Sequence, residues 1–120
     1  MAIQFEIEDR RLNADTHVVG VLGEIDLFTA PEFKQRVAAP IDAGVRSVIV
    51  DLTETTFIDS SSLGVLIGAH RRLKARGGAL TIVCAEESIA KTFRITGLDG
   101  VFRIVSTLDA AVHDGVVAAG

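Results

Sequence analysis

Alternation of apolar and polar residues near the start of the chain predicts a half-buried strand. Ile3, Phe5 and Ile7 alternate with polar residues at positions 4, 6 and 8, which is the period of two of a strand. The polar stretch 9–15 predicts a chain reversal, and a second strand follows over 17–22, ended by the turn 23–26. Because the connection is short, we expect these two strands to be antiparallel.

Later in the chain, apolar runs alternate with helical patterns. The runs 47–52 and 80–84 are nearly continuous, which is typical of strands buried on both faces, and a shorter strand is predicted over 101–105. Between them, residues 53–56 read as a polar turn, and helices are predicted after the serines at 60–62 up to Gly77, over 86–96 and over 108–117. Strands separated by helices run parallel in one sheet. We therefore expect an α/β fold: a mixed, mostly parallel central sheet of about five strands flanked by about four helices.

The first predicted helix has a clear start. Thr29 is expected to cap it, Pro31 fits its first turn, and Glu32 completes a capping box with Thr29. Pro40 indicates that the helix is ending by that position. Its expected core face consists of Phe33, Val37 and Ile41.

The helix that follows the serines has two different faces. At 100° per residue, its core side is predicted to comprise Leu63, Leu66, Ile67, Ala69, His70 and Leu73. Ser61 heads the opposite side, which continues through Gly64, Val65, Gly68 and Arg72. Glycine inside a helix costs about 1 kcal/mol relative to alanine. Either these glycines admit a neighbouring helix of the same domain, or they form a surface for a partner; an exposed Val65 beside them favours the partner.

The start of this helix is a candidate modification site. Asp59 or Ser60 serves as the N-cap, which leaves Ser61 in the first turn with its hydroxyl outward. A phosphate there adds about −1.5 to −2 charges, which the helix N-terminus favours and Asp59 and Asp26 oppose. These effects roughly cancel, so we expect phosphorylation to leave the fold intact and to change only the surface.

Composition narrows the function classes. The 120 residues fit one domain, and the net charge of −4 disfavours nucleic-acid binding, so the basic cluster at 71, 72, 74 and 76 is expected to be a solvated helix face. Neither a signal peptide nor a membrane span is apparent, which predicts a soluble, cytoplasmic protein. Cys84 is expected to be a small buried residue and a poor nucleophile.

Catalytic and cofactor motifs are weak in this sequence. His17, His70 and His113 lie far apart without ligand-spaced neighbours, so no metal is expected, and no phosphate or dinucleotide loop indicates another cofactor. The pair Ser88 and Lys91 has the Ser-x-x-Lys form of some acylating hydrolases, but their companion motifs are missing. We expect a binding protein rather than an enzyme.

Three ordered motifs resemble a known family. Asp51-Leu52 followed by the segment 57–66 (Phe-Ile-Asp-Ser-Ser-Ser-Leu-Gly-Val-Leu) is similar to the core signature of STAS domains of the anti-sigma factor antagonist type. The turn 23–26 with the helix start 29–31 looks like the first motif of that family, and residues 93–102 resemble its closing segment. The similarity implies a single STAS domain over residues 1–120.

The resemblance also implies a regulatory cycle. In this family the unphosphorylated antagonist binds an anti-sigma factor, which releases a sigma factor; the anti-sigma factor is also a serine kinase of the histidine-kinase-like ATPase fold. Phosphorylation ends the interaction, and a PP2C-type phosphatase resets it. The family's acceptor position falls on Ser61, and Ser62, where members commonly have glycine, is an alternative. We expect a monomer that contacts neither nucleic acid nor membrane, with a partner-binding surface made of Asp26, Asp59, Ser60, Ser61, Ser62, Gly64, Val65, Gly68 and Arg72.

A different task for the same fold stays open. STAS domains also serve as subunits of lipid-transporting ABC complexes or as scaffold parts of stress-signalling assemblies. Such a subunit would use the same helix for docking without being phosphorylated. The phosphoacceptor-like Ser61 favours the sigma pathway.

Overall fold

The computed structural model describes residues 5–112. In chain order its strands and helices are β1 (Glu6–Arg11), β2 (Thr16–Ile25), α1 (Ala30–Asp42), β3 (Ser47–Asp51), β4 (Thr55–Ile58), α2 (Ser60–Ala75), β5 (Ala79–Val83), α3 (Glu87–Ile95) and β6 (Arg103–Val105). Residues 108–112 are also helical, and Thr107 Oγ1 accepts a hydrogen bond from Ala110 N at 3.1 Å, as a capping residue does. The predicted strand start at Ile3, the helix end over 113–117 and His113 lie outside the described residues.

The sheet is mixed and mostly parallel, as the pattern predicted. Within the described residues it has six strands, five of them in the order β1-β2-β3-β5-β6. Only β1 is antiparallel to its neighbour, whereas β2, β3, β5 and β6 run parallel. The sixth strand, β4, pairs in parallel with the far end of β2. The predicted fold class is confirmed.

Both faces of β3 are buried, which confirms the interpretation of its continuous apolar run. Val48 and Val50 belong to the main core, in which the sheet packs against the helices, while Ile49 lies in a smaller cluster on the other face. That smaller cluster includes Ala111 from the helical residues 108–112. Alternate residues of one strand therefore serve two separate apolar layers.

The first two strands are longer than the sequence pattern predicted. Residues 9–11 belong to β1 rather than to the turn, and Arg10 pairs with Val18. Apart from Ile7, the side chains of β1 are exposed, because β1 is an edge strand that buries little. An edge strand tolerates consecutive charged residues, so polarity there does not mark a turn.

The sequence predicts a polar turn over residues 53–56, but Thr55–Ile58 form strand β4. Thr55 is only 2% exposed, and its Oγ1 donates a hydrogen bond to Val21 O at 2.8 Å. Four residues are too few for a period to be recognised, and a threonine whose hydroxyl bonds to the backbone can be buried at low cost. This strand brings the segment before α2 beside the end of β2.

Helix α1 has its predicted core face, because Phe33, Val37 and Ile41 are buried. However, Pro40 does not end the helix, which continues to Asp42. Beyond the proline the backbone remains hydrogen-bonded, with Ala43 N donating to Ala39 O at 3.0 Å. A proline near the last turn removes a single helical hydrogen bond, and here its ring is buried.

Helix α2 ends as predicted, just before Gly77, whose φ of 75° is the left-handed conformation that favours glycine. The following Gly78 is required by space, since a Cβ there would lie 2.0 Å from Arg46 O. The last strand starts at Arg103 instead of residue 101, because Val101 N and Phe102 N donate hydrogen bonds to Leu98 O and so extend the 3-10 turn of residues 98–100.

Candidate functional site

Two turns meet at one edge of the sheet. Ile25 at the end of β2 pairs with Ile58 at the end of β4, and the two strands are parallel. Because parallel strands end on the same side, the residues that follow them, Asp26 and Asp59, leave the sheet at this edge. A hydrogen bond from Ser62 Oγ to Ile25 O, 2.8 Å long, joins the start of α2 to the end of β2.

Asp59 is the N-cap of α2. Its Oδ1 accepts hydrogen bonds from Ser61 N at 2.9 Å and from Ser62 N at 3.3 Å. Ser62 Oγ in turn accepts a hydrogen bond from Asp59 N at 3.4 Å, which completes a capping box. The sequence left the cap open between Asp59 and Ser60, and the structure assigns it to Asp59.

Ser62 is fully buried at 0% exposure, and its hydroxyl points inward to Ile25 O. A kinase or a partner reaches this hydroxyl only if the start of α2 opens. This burial argues against the prediction that Ser62 is an alternative acceptor and a partner contact. Ser62 therefore stabilises the start of α2.

Ser60 and Ser61 face outward to different degrees. Ser60 is exposed and Ser61 is half-buried. The backbone N–H of Ser61 is engaged by Asp59, but within residues 5–112 the Ser61 hydroxyl makes no hydrogen bond. Of the three serines, Ser61 thus combines a fixed backbone with an uncommitted hydroxyl in the first turn of a helix.

The outward side of α2, which we call the glycine face, consists of Gly64, Val65, Gly68 and Arg72. Both glycines are exposed, and a Cβ at either would meet no atom within 4 Å. Among residues 5–112, no neighbouring helix therefore requires a glycine at either position. Val65 is half-buried against the core rather than exposed as expected, and the exposed Arg72 forms an ion pair with Asp42.

Asp26 organises the turn between β2 and α1. Its Oδ1 accepts hydrogen bonds from Phe28 N at 2.9 Å and from Thr29 N at 3.0 Å. Thr29 Oγ1 accepts a bond from Asp26 N at 2.8 Å and donates to Glu24 O at 3.1 Å. Because that hydroxyl is used inside the turn, Thr29 makes no side-chain capping bond, and the predicted capping box with Glu32 is wrong.

The same turn presents two large apolar side chains that the sequence analysis did not single out. Leu27 is 69% exposed and Phe28 is 88% exposed. Exposed aromatic and aliphatic side chains on a rigid turn are typical of protein-binding surfaces. The available signal was two large apolar residues between two turn-forming residues, Asp26 and Thr29, where polar residues are usual.

The other chemically suggestive residues have structural roles. Ser88 Oγ donates to Glu86 Oε1 at 3.1 Å at the start of α3, next to the capping bond that Glu86 Oε1 accepts from Ser88 N. Cys84 is buried, as expected, and burial raises the pKa of its thiol, which disfavours the reactive thiolate.

Within residues 5–112, no group of three or more His, Cys, Asp or Glu side chains could hold a metal ion. Over the same residues, no helix is long and apolar enough to cross a bilayer.

Comparison with known proteins places the sequence among regulatory domains. The family model for the STAS domain matches residues 9–111. An anti-sigma-B factor antagonist from Listeria monocytogenes is 34% identical over 105 residues, which cover 87% of this chain and 90% of that protein.

Solved structures agree with the sequence match. The crystal structure of an anti-sigma factor antagonist from Mycobacterium paratuberculosis superposes with a TM-score of 0.85 and 27% identity, covering 93% of this chain and 94% of the other. The anti-sigma factor antagonist SpoIIAA has the same fold in its unphosphorylated form (TM-score 0.71, 22% identity, 94% and 97% covered). Its phosphorylated form gives a TM-score of 0.70 at 24% identity, with 92% and 98% covered.

Proposed function

The chain belongs to the STAS domain family, and from that premise we propose that it is an anti-sigma factor antagonist switched off by phosphorylation of Ser61. The observation that carries the proposal is the contrast within the serine cluster. The Ser61 hydroxyl has no hydrogen bond in residues 5–112, whereas the Ser62 hydroxyl is buried and bonded to Ile25 O. Its relatives are regulatory proteins, which agrees with a binding role rather than catalysis.

The partner in this proposal is an anti-sigma factor that is also a serine kinase of the histidine-kinase-like ATPase fold. The unphosphorylated chain binds it and releases a sigma factor, and a PP2C-type phosphatase restores the binding form. The contact surface starts from the docking edge, which we define as Leu27, Phe28, Ser60 and Ser61. It continues along the glycine face and includes the two carboxylates Asp26 and Asp59.

Electrostatics explain why a phosphate on Ser61 would change the surface more than the fold. The N–H groups of Ser61 and Ser62 at the start of α2 already donate hydrogen bonds to Asp59. They therefore do not neutralise the added charge of about −1.5 to −2, and a partner that approaches this surface meets most of it. The positive end of the helix favours the phosphate, and the Asp59 carboxylate opposes it. The exposed side chains of Leu27 and Phe28 favour contact with a partner only if the surface beside them loses its water at low cost. A charged phosphate on that surface raises the cost of removing the water.

Incubation with ATP and candidate anti-sigma factors, followed by mass-spectrometric mapping, tests the acceptor. We expect a single phosphate on Ser61, and none on the Ser61→Ala variant, which keeps its affinity for the kinase. Ser60→Ala is the matched control, because Ser60 is the exposed neighbour, and the phosphate should still map to Ser61 in this variant.

Two results would overturn the proposal. Phosphorylation that persists in Ser61→Ala would show that another residue is the acceptor. Purification of a membrane-bound ABC assembly as the native partner, with no phosphorylation of the chain, would instead favour a transport subunit.

A further inference from the structure

A groove of about 400 Å³ lies between α1 and α2, beside the glycine face. Its apolar lining comes from both helices and includes Val37, Ile41, Val65 and Ala69. Gly64 and Gly68 form part of the lining, and a Cβ at either position would enter open space. The groove therefore owes part of its width to two missing side chains, one helical turn apart.

The charges around this groove are not balanced by the protein itself. Lys34 and Arg71 line it and are exposed, and neither forms an ion pair with any residue in the range 5–112. Arg72 lines it as well, but it is paired with Asp42. In a chain with a net charge of −4, two unpaired cations beside an apolar floor complement a ligand that is apolar on one side and acidic at its margins.

The walls of the groove also determine which backbone conformation a peptide ligand can have. Both walls are helices, whose backbone N–H and C=O groups are already bonded within each helix. An extended peptide would find no strand edge here with which to satisfy its own backbone. A helix satisfies its backbone internally, and glycines spaced four apart allow a second helix to approach closely.

We infer that the α1–α2 groove binds an acidic amphipathic helix of the anti-sigma factor. This rests on the proposed function for the identity of the partner, whereas the class of ligand follows from the groove. The helix inserts its apolar side chains over Gly64 and Gly68, and its carboxylates lie near Lys34 and Arg71. The wall supplied by α1 thereby becomes part of the partner surface, which the sequence had restricted to α2 and the two turns.

A designed peptide tests the ligand class without a known partner. The probe is an 18-residue helix with leucine at positions i, i+3, i+4 and i+7 and glutamate elsewhere, and its control replaces every glutamate with lysine. Titrated into the ¹⁵N-labelled chain of 120 residues, the acidic peptide should shift the backbone amides of Gly64, Gly68 and Ala38. The basic peptide should bind at least tenfold more weakly. Equal binding of the two, or shifts confined to other surfaces, would overturn the inference.

Variants then test the groove itself. The Gly68→Leu side chain enters open space, so this variant should fold normally and bind the acidic peptide at least tenfold more weakly. Ala39→Leu is the control, because Ala39 is exposed on α1 outside the groove, and it should leave binding unchanged. The double change Lys34→Glu and Arg71→Glu should reverse the preference toward the basic peptide. Retained acidic binding in Gly68→Leu, with an unchanged melting temperature, would contradict the groove as the site.

Binding experiments with the anti-sigma factor that phosphorylates the chain distinguish the groove inference from the proposed function. If it binds and phosphorylates Ser61 but keeps its affinity for Gly68→Leu, the groove inference fails and the function stands. If the acidic peptide occupies the groove but no anti-sigma factor binds the chain, the proposed function fails and the ligand class stands.

Discussion

At the scale of single residues, three consecutive serines have three environments. Ser60 is exposed, Ser61 is half-buried with a hydroxyl that makes no hydrogen bond within residues 5–112, and Ser62 is buried with its hydroxyl bonded to Ile25 O. Successive side chains on a helix are 100° apart, so neighbours of the same type cannot share one environment. One serine therefore stabilises the helix start, which leaves another available for modification.

Replacing Ser62 with alanine should destabilise the fold. Ser62→Ala leaves Ile25 O without its side-chain partner and removes one half of the capping box, so we expect a loss of about 1–3 kcal/mol in the free energy of unfolding. Urea denaturation measures it. The exposed Ser60→Ala is the control and should stay within about 0.5 kcal/mol of the parent chain. Equal stability of the two variants would contradict the structural role of Ser62.

At the scale of elements, one side of α2 packs in the core, whereas packing does not explain which residues occupy its other side. Leu66 and Leu73 are buried in the core, while Gly64 and Gly68 face open space. Glycine lowers helix stability, and within residues 5–112 no neighbouring atom lies close enough to compensate for it. A partner that needs a close approach is a physical reason for keeping these residues.

Substitution of the glycines should therefore raise stability. Gly68→Ala introduces a methyl group into open space, so we expect the free energy of unfolding to increase by about 1 kcal/mol, together with weaker binding of the partner. Gly78→Ala is the opposing control, because its Cβ would lie 2.0 Å from Arg46 O, and it should destabilise the chain. Thermal melts of the two variants should move in opposite directions, and a destabilised Gly68→Ala would show that the glycine is structural.

At the scale of the whole molecule, pairing of β4 with β2 creates the site. It holds the turn with Leu27 and Phe28 at the same edge of the sheet as the start of α2. The fold of SpoIIAA matches this chain almost equally well in both of its states, with a TM-score of 0.71 unphosphorylated and 0.70 phosphorylated. The fold that this chain shares with SpoIIAA is thus found in both states of that protein.

Phosphorylation of Ser61 should leave the global properties of the chain unchanged while weakening its association with the anti-sigma factor. The circular dichroism spectrum and the melting temperature of the phosphorylated chain should match those of the parent, because the helix N-terminus and Asp59 act on the phosphate in opposite directions. Affinity for the anti-sigma factor should fall by roughly tenfold or more. Dephosphorylation should restore it, and a large loss of melting temperature would instead point to a switch based on unfolding.

Several features were predictable from the sequence because they depend on local order along the chain. The buried run around Ile49, the core face of α1 and the length of α2 each follow from periodicity and end signals, and all three are confirmed. The family resemblance is confirmed by the match over residues 9–111. That all 120 residues form one monomeric domain, and that Ser61 is the acceptor, stay predictions.

What only the tertiary structure decided depends on contacts between distant segments. The burial of Ser62 requires the carbonyl of Ile25, strand β4 requires β2, and the groove requires α1 beside the glycine face. None of these pairs is near in sequence, so no local period encodes them. The sequence by itself determined the family and every element except β4, because apolar spacing and end signals are local. The available hydroxyl and the open groove followed only from how those elements pack.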